Sequence, residues 1–235
     1  MTAAGTTRRA PQIETALELY AEGLADVSDP EVTDPDEFGH AHWFLRYEDG
    51  DEIPLRLSHW CSDDVPGDAG LVGRCSGATL DVGCGPGRLA AAVAQQGLPV
   101  LGLDISPAAV RIARNRGALV VQRSVFDALP GEGGWQHVLL ADGNVGIGGD
   151  PARLLRRCAE LIDASGSVLA ELDAPGTVTR SCVVRIVSAT GRRSDTFPWA
   201  HVGADQIEHV AEAAGLAVVE SWTEEGRWFA SLRHR

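Results

Sequence analysis

Ten residues beginning at Leu80, L-D-V-G-C-G-P-G-R-L, combine an acid with three closely spaced glycines. Gly83, Gly85 and Gly87 let the backbone turn sharply and approach a ligand closely. The amides that follow would open a helix, whose N-terminus favours a carboxylate or a phosphate. Asp81 can accept a hydrogen bond from a cationic amine. This turn therefore predicts a site for the amino-acid end of a ligand, which carries both an ammonium group and a carboxylate.

A second acid, Asp104, ends the next apolar run, which is a predicted strand. A carboxylate at the end of such a strand can accept both hydroxyls of a ribose, as it does in dinucleotide-binding folds. Ser106 caps the predicted helix that follows, with Pro107 at its first position and Gly117 at its end.

The pattern D-x-G-x-G-x-G differs from the G-x-G-x-x-G turn of dinucleotide enzymes. It resembles motif I of the class I S-adenosylmethionine-dependent methyltransferases. The resemblance of the chain to this family extends over roughly residues 78 to 235. The resemblance implies an enzyme that uses S-adenosyl-L-methionine to methylate a small-molecule acceptor. The cofactor-binding residues that it implies are Asp81, Gly83, Cys84, Gly85, Gly87, Asp104, Ile105, Ser124, Val125, Phe126, Asp127 and Asp142.

In this family the loop after the third strand, here predicted at residues 119–122, holds the adenine. The alignment puts Ser124 where many relatives carry Asp, and it puts Val125 at the position whose backbone amide meets a ring nitrogen. Asp127 is a second candidate for the polar contact. Phe126 could stack on the base or pack in the core. Which residue contacts the adenine stays open at this point.

The fourth predicted strand ends at Asp142, and a loop with four glycines follows at residues 143–150. Since the carboxyl ends of the strands line the ligand crevice of this fold, we expect this loop to flank the reactive methyl group. Its glycines allow either close backbone approach or a flexible gate. The loop is not of the Asn-Pro-Pro-Tyr type, which argues against methylation of DNA adenine.

Candidates for contact with the acceptor lie outside the core. Histidine suits proton removal from a hydroxyl or thiol, and His201 and His59 are the preferred bases. The alternative for each is a structural or surface histidine, which is the commoner role of a histidine. Trp199, in the segment after the fifth strand, is a candidate wall of the acceptor site. The remaining candidates before the core are His40, His42, Trp43, Arg46 and Trp60.

Asp142 and Asp173 end the fourth and fifth predicted strands, so both could point into one crevice. Metal-dependent relatives place acids there to hold Mg²⁺, which prefers oxygen ligands. Those relatives follow the second acid with Asn, whereas this chain has Ala174. The expected site therefore contains no metal.

The composition of the chain argues against some classes of binding partner. The 235 residues carry a formal net charge of −13, which repels nucleic acids and anionic membrane surfaces. No apolar run approaches the roughly 20 residues of a membrane-spanning helix, and the start lacks the apolar region of a secretory signal. Five cysteines without a metal-like spacing favour a reduced, cytoplasmic chain. We expect a monomer or a homodimer.

The predicted fold is α/β: a Rossmann-like, doubly wound, seven-stranded and mostly parallel sheet with an antiparallel C-terminal hairpin. Residues 1–77 form an N-terminal helical cap region, and residues 78–235 form the cofactor-binding core, with an insertion at 174–202. The cap contains a helix at about Pro11–Ala25, and the insertion after the fifth strand is a β-hairpin at 177–199. A last helix is predicted at about Ala204–Ala214.

Methylation of oxygen, nitrogen or carbon stays open, with oxygen slightly favoured because histidines are available as bases. Two other classes of function remain. The chain could bind S-adenosylmethionine as a regulatory subunit without catalysis. It could also be a nicotinamide-dependent oxidoreductase, although the G-x-G-x-x-G turn is absent.

Overall fold

The computed structural model describes residues 14–27 and 42–235. Within these ranges the helices are α1 (Ala16–Val27), α2 (Leu57–Cys61), α3 (Asp68–Val72), α4 (Arg88–Gln95), α5 (Pro107–Asn115), α6 (Pro151–Leu161) and α7 (Ile207–Ala213), with a 3₁₀ helix at Asn144–Gly149. The strands are β1 (Trp43–Tyr47), β2 (Glu52–Pro54), β3 (Thr79–Val82), β4 (Val100–Asp104), β5 (Val120–Gln122), β6 (Trp135–Leu140), β7 (Ile162–Leu172), β8 (Arg180–Ser188), β9 (Phe197–His201), β10 (Leu216–Glu224) and β11 (Arg227–His234).

The larger sheet has seven strands in the order β10-β11-β7-β6-β3-β4-β5. The five strands from β7 to β5 are parallel, and the hairpin of β10 and β11 joins β7 antiparallel. This confirms the predicted Rossmann-like sheet. The chain runs from β3 outward to β5 and then returns to β6 on the other side of β3. Ligands of such sheets bind outside the carboxyl ends of the strands where this reversal occurs, here beyond β3 and β6.

Helices cover both faces of this sheet, so its central strands are buried on both sides. All four residues of β3 are buried, as are the last four of β6. The side chains Leu154, Leu155, Cys158 and Leu161 of α6 are buried, as their spacing predicts. No helix within the described ranges combines the length and the apolar character needed to cross a membrane.

A second sheet, in the order β2-β1-β8-β9, joins the N-terminal region to the insertion. β8 and β9 form the predicted hairpin, with Val184 opposite Phe197. β1 then pairs antiparallel with β8, with Tyr47 opposite Val184. The N-terminal cap therefore contributes two strands as well as helices. We call this four-stranded sheet the cap sheet.

Helix α1 packs the cap onto the core. It begins at Ala16 rather than at Pro11, and residues 11–13 lie outside the described ranges. Thr15 and Glu18 form a reciprocal capping box: Thr15 Oγ1 accepts from the amide of Glu18, and a Glu18 carboxylate oxygen accepts from the amide of Thr15. The buried side chains Leu19 and Leu24 lie in one apolar cluster with residues of β1, α2, α5 and β8.

Most element boundaries shift by one to three residues from the sequence expectation. The third core strand begins at Val120, one residue later than expected, and Leu119 is 68% exposed. The fourth, β6, ends at Leu140, so that Asp142 belongs to the following loop. The last helix, α7, is shorter than predicted, and the terminal hairpin is longer. These ends depend on long-range packing, which local spacing does not reveal.

Candidate active site

The glycine turn between β3 and α4 has a left-handed backbone at each of its three glycines, with φ of +69° at Gly83, +52° at Gly85 and +85° at Gly87. A Cβ at Gly83 would lie 2.8 Å from the Asn144 amide nitrogen, and one at Gly87 would lie 2.7 Å from the Cβ of Ala113. Both glycines are therefore required by contacts within the protein. Gly85 is different, because a Cβ there would meet only a tyrosine hydroxyl, at 3.4 Å.

That hydroxyl belongs to Tyr20 of α1, so the cap reaches over the glycine turn. Burial is the main cause that raises the pKa of Tyr20, and the negative charges of Asp104 and Asp142 raise it further. Tyr20 therefore stays a neutral hydrogen-bond donor. Its ring packs edge-on against Trp60 of α2, with the ring centres 6.2 Å apart.

Asp104, at the end of β4, joins that strand to the glycine turn. One carboxylate oxygen accepts from the amide of Gly85 at 2.9 Å, and the other accepts from the amide of Ser106 at 2.7 Å. Burial is the main cause that raises its pKa, while these amide bonds lower it. Each oxygen keeps a second lone pair, with which the carboxylate could accept ribose hydroxyls. Ile105 follows with 53% of its surface exposed.

Asp81, in β3, is only 2% exposed, and a carboxylate oxygen accepts from the amide of Ala90 in α4 at 3.1 Å. Burial, followed by the charge of Asp142, raises the pKa of Asp81 to about 7. Cys84 is enclosed beside Gly102, and burial raises the pKa of its thiol far above the usual range. A raised pKa disfavours the thiolate, which is the nucleophilic form of cysteine.

Asp142 has a φ of +53°, which is uncommon for a residue other than glycine. Its carboxylate accepts from Arg88 at 2.6 Å, and its amide donates to Glu171 at 2.6 Å. Burial raises its pKa, and the charge of Arg88 opposes that rise. These bonds hold Asp142 in a strained conformation beside the crevice, and such strain is often found at functional positions.

The partners of Asp142 belong to a larger group of buried charges. Arg88 also pairs with Asp68 of α3, and the side chain of Arg88 is only 3% exposed. Arg227 of β11 pairs with Asp68 at 2.8 Å and with Glu171 at 2.7 Å. We call Asp68, Arg88, Asp142, Glu171 and Arg227 the buried ion cluster. It ties α3, α4, β7 and β11 to the loop after β6.

The conformation of the loop after β5 is held by hydrogen bonds from its backbone to its own side chains. The amide of Ser124 donates to the Asp127 carboxylate at 3.0 Å, and Ser124 Oγ accepts from the amide of Phe126 at 3.2 Å. Val125 is 4% exposed and belongs to the core. Phe126 packs against that core at its edge, with the Arg153 guanidinium 4.4 Å from the ring centre.

The cap sheet rests on the 3₁₀ helix that follows Asp142. A Cβ at Gly146 would overlap the carbonyl oxygen of Ala200 and lie 2.8 Å from the indole nitrogen of Trp199. A Cβ at Gly149 would lie 2.9 Å from the Cβ of Pro198. The glycines of this loop thus permit close approach of β9, one of the two interpretations of the sequence. They place Trp199 against the loop beside the crevice.

Both ring nitrogens of His201 are hydrogen bonded. Nδ1 lies 3.0 Å from a carboxylate oxygen of Asp173, and Nε2 lies 2.6 Å from the hydroxyl of Tyr47. Asp173 follows the last residue of β7, at the carboxyl edge of the parallel sheet. His201 is therefore an oriented histidine beside the crevice, with its tautomer governed by the carboxylate.

His59, in α2, lies near the buried ion cluster. Burial is the main cause that lowers its pKa, while the negative charge of Asp142 raises it. Among the described residues no hydrogen bond joins His59 to His201. The two predicted bases therefore belong to separate parts of the site, His59 towards Asp142 and His201 towards Asp173.

The other sequence candidates differ in their surroundings. Trp43 is buried and donates to Asp26 at 3.0 Å, Arg46 pairs with Glu52, and His42 is exposed. His40 lies outside the described ranges. Asp142 and Asp173 are bonded to Arg88 and His201, which leaves them poorly suited to Mg²⁺. The described residues contain no group of three or more His, Cys, Asp or Glu side chains that could hold a metal ion.

Residues 79–166 match a family model described as a methyltransferase domain. This segment is therefore similar to a methyltransferase domain. The match covers the glycine turn, Asp104, the loop after β5 and Asp142. The methyltransferase domain thus contains every residue predicted for the cofactor, whereas His59 and His201 lie outside it.

Relatives of this chain include the ubiquinone biosynthesis O-methyltransferase of Pseudomonas paraeruginosa, which is 30% identical over 157 residues, 62% of this chain and 63% of that protein. The chain thus spans less than two thirds of the length of this curated relative.

Two solved structures share the fold. An S-adenosylmethionine-dependent methyltransferase from Bacteroides fragilis, solved with S-adenosyl-L-homocysteine, has a TM-score of 0.75 at 19% identity and covers 96% of this chain and 98% of its own. A sugar N-methyltransferase from Streptoalloteichus has a TM-score of 0.54 at 17% identity, with 100% and 99% covered.

Sequence reasoning missed several residues of the site. Tyr20 follows the helical spacing of α1 and looked like a core residue, and Tyr47 carried no signal. Arg88 is the seventh residue after Asp81 in the glycine-turn segment, but nothing local marks it as a partner of Asp142. Of the partners of Tyr47 and Arg88, the sequence indicated His201 and Asp142.

Proposed function

We propose that the chain is an S-adenosyl-L-methionine-dependent methyltransferase acting on a small-molecule acceptor. The observation that carries this proposal is the gathering of Asp81, Asp104 and Asp142 around the glycine turn. The pKa of each carboxyl group is raised, chiefly by burial, and that of Asp81 is raised further by the other two charges. Such a group of acids favours a cationic ligand. The cofactor fits, since it carries an ammonium and a sulfonium.

Each part of the cofactor has a matching group. The N-terminus of α4, at the end of the glycine turn, would favour its carboxylate, and the acids Asp81 and Asp142 would lie on the side of its ammonium. Asp104 and Ile105 would flank the ribose, and the loop from Ser124 to Asp127 would flank the adenine. Tyr20 would cover the amino-acid end with its hydroxyl.

The cofactor supplies an electrophilic methyl group when it is bound. The protein must hold an acceptor in line with that group and exclude water, which can lower the barrier by several kcal/mol. A hydroxyl acceptor must also lose its proton. His201 is the proposed base, because Asp173 fixes its ring and would stabilise the imidazolium that forms.

The acceptor would bind between the methyltransferase domain and the cap. We infer that residues 1–77 and the insertion 174–202 act as one cap, because β1 of the first pairs with β8 of the second. Trp199 would form a wall of this acceptor site. The net charge of −13 favours a neutral or cationic small molecule over a nucleic acid.

Oxygen is the proposed atom that is methylated. The curated relatives are named for O-methylation, and His201 could serve as the base that a hydroxyl acceptor needs. We also propose that the protein is a monomer or a homodimer and that it is located in the cytoplasm. In support, all five cysteines, each within the described ranges, are unpaired, as is usual in a reducing compartment.

Transfer of a labelled methyl group to a panel of small alcohols, phenols and amines tests the proposal. The His201→Gln variant should lose about 100-fold in kcat with hydroxyl acceptors and keep its cofactor affinity. His209→Gln, which changes an exposed histidine of α7, is the matched control. Unchanged turnover in His201→Gln would show that His201 is not the base.

The same assay separates the other classes of function. Cofactor binding without transfer to any acceptor would favour a regulatory subunit. Binding and oxidation of NADH in place of S-adenosylmethionine would favour an oxidoreductase.

A further inference from the structure

We propose that Tyr47 is a catalytic residue that passes the acceptor's proton to His201. This inference rests on the proposed function. It extends the catalytic group to a strand of the N-terminal cap, outside the methyltransferase domain. Tyr47, His201 and Asp173 would act as one relay, which is referred to below as the proton relay.

The hydrogen bonds of His201 leave one route by which its imidazole can take up a proton from the acceptor, through the Tyr47 hydroxyl. Nδ1 is bonded to Asp173 and Nε2 is bonded to the Tyr47 hydroxyl, at 3.0 and 2.6 Å. With Nδ1 protonated towards the carboxylate, Nε2 is the acceptor of the tyrosine hydroxyl. An acceptor molecule could therefore reach the basic nitrogen only by displacing Tyr47 or by bonding to its oxygen.

The packing favours the second route. Tyr47 is 5% exposed and is held in β1, paired with β8, so that displacement would disrupt the cap sheet. The centre of the Tyr47 ring lies 5.7 Å from the centre of the His201 ring. The guanidinium of Arg180, in β8, lies 5.4 Å from the centre of the Tyr47 ring. The side chains of His201 and Asp173 are 17% and 34% exposed, so the relay lies at the border of the crevice.

The chemistry of the phenol requires a concerted transfer. Burial raises the pKa of Tyr47 to about 12, so a free phenolate would be costly near neutral pH. The acceptor's proton moves to the Tyr47 oxygen while the tyrosine proton moves to Nε2 of His201. The acceptor oxygen forms its bond to the methyl carbon, and the electron pair of the broken carbon–sulfur bond stays on sulfur. The proton ends on His201, where Asp173 stabilises the positive charge.

The Tyr47→Phe variant tests the relay in the full-length protein, with a hydroxyl acceptor identified by the transfer assay. The relay predicts a loss of about 100-fold in kcat, comparable to that of His201→Gln, with cofactor affinity within twofold of the wild type. It also predicts that the proton inventory of kcat in mixed light and heavy water curves in the wild type, because more than one proton moves. Thr190→Ala, in the turn at the other end of the hairpin, is the control for an altered cap hydroxyl.

The outcomes are distinguishable. If Tyr47→Phe keeps kcat within threefold while His201→Gln loses it, the acceptor contacts His201 directly and the relay is wrong. If S-adenosylmethionine fails to bind the wild type, the proposed function falls, and the relay falls with it.

A second measurement covers the case in which Tyr47→Phe does not fold. Tyr20 and Tyr47 are the two tyrosines of the chain, so 3-fluorotyrosine in a Tyr20→Phe background labels Tyr47 alone. Because fluorine lowers the phenol pKa, the relay predicts a shift of kcat relative to unlabelled Tyr20→Phe. An identical kcat would overturn the relay.

Discussion

At the scale of single residues, the site contains three acids whose burial or backbone conformation is energetically unfavourable. Asp81 is buried and bonded to a backbone amide, and Asp142 has a left-handed backbone and a bond to Arg88. Asp104 accepts with one carboxylate oxygen from the amide of Gly85 in the glycine turn and with the other from the amide of Ser106. Each arrangement costs stability in the free protein, and each is offset in part when a cationic ligand binds.

The raised pKa of Asp81 predicts a pH dependence of stability. Between about pH 4, where the unfolded carboxyl titrates, and about pH 7, the folded protein keeps a proton on Asp81 that the unfolded chain releases. The free energy of unfolding therefore falls as the pH rises through this window. Asp81→Asn should remove this fall and gain about 2 kcal/mol over the wild type between pH 5 and pH 7.5. Urea unfolding at both pH values measures it, and parallel pH curves for the two proteins would contradict the assignment.

At the scale of elements, the cap is joined to the core at two places. Helix α1 brings Tyr20 over Gly85 of the glycine turn, and β9 packs on the 3₁₀ helix after Asp142. The first contact covers the predicted cofactor site, and the second lies beside the predicted acceptor site. Because β1 and β8 pair in one sheet, movement of either part of the cap would be transmitted to the other.

The position of α1 predicts that Tyr20 contributes to cofactor affinity. Tyr20→Phe removes one hydroxyl donor, and the loss of such a bond should weaken binding of S-adenosylmethionine about fivefold, or roughly 1 kcal/mol. Leu17→Ala changes an exposed residue of the same helix, 38% exposed, and controls for general effects on α1. Calorimetric titration of both variants gives the comparison. Equal affinities of Tyr20→Phe and the wild type would remove Tyr20 from the site.

At the scale of the whole molecule, the core, helix α1 and the hairpin of β8 and β9 could be predicted from local signals, whereas the pairing of β1 with β8 could not. The glycine turn, Ser106 with Pro107, and Asp150 with Pro151 mark the starts of α4, α5 and α6 through short-range chemistry.

The pairing of Tyr47 with Val184 instead joins segments far apart in the chain. The sequences of β1 and β8 do not indicate which strand each of them pairs with. The relay of Tyr47, His201 and Asp173 depends on that pairing, and so does the location of the acceptor site.

The central claim is that the acids around the glycine turn bind S-adenosylmethionine. Calorimetric titration of the wild type and Asp104→Asn with S-adenosylmethionine, S-adenosylhomocysteine and NADH tests it most directly. We predict micromolar binding of both sulfur nucleosides to the wild type, at least tenfold weaker binding to Asp104→Asn, and no binding of NADH. Binding of NADH, or no binding of either sulfur nucleoside by the wild-type protein, would contradict it.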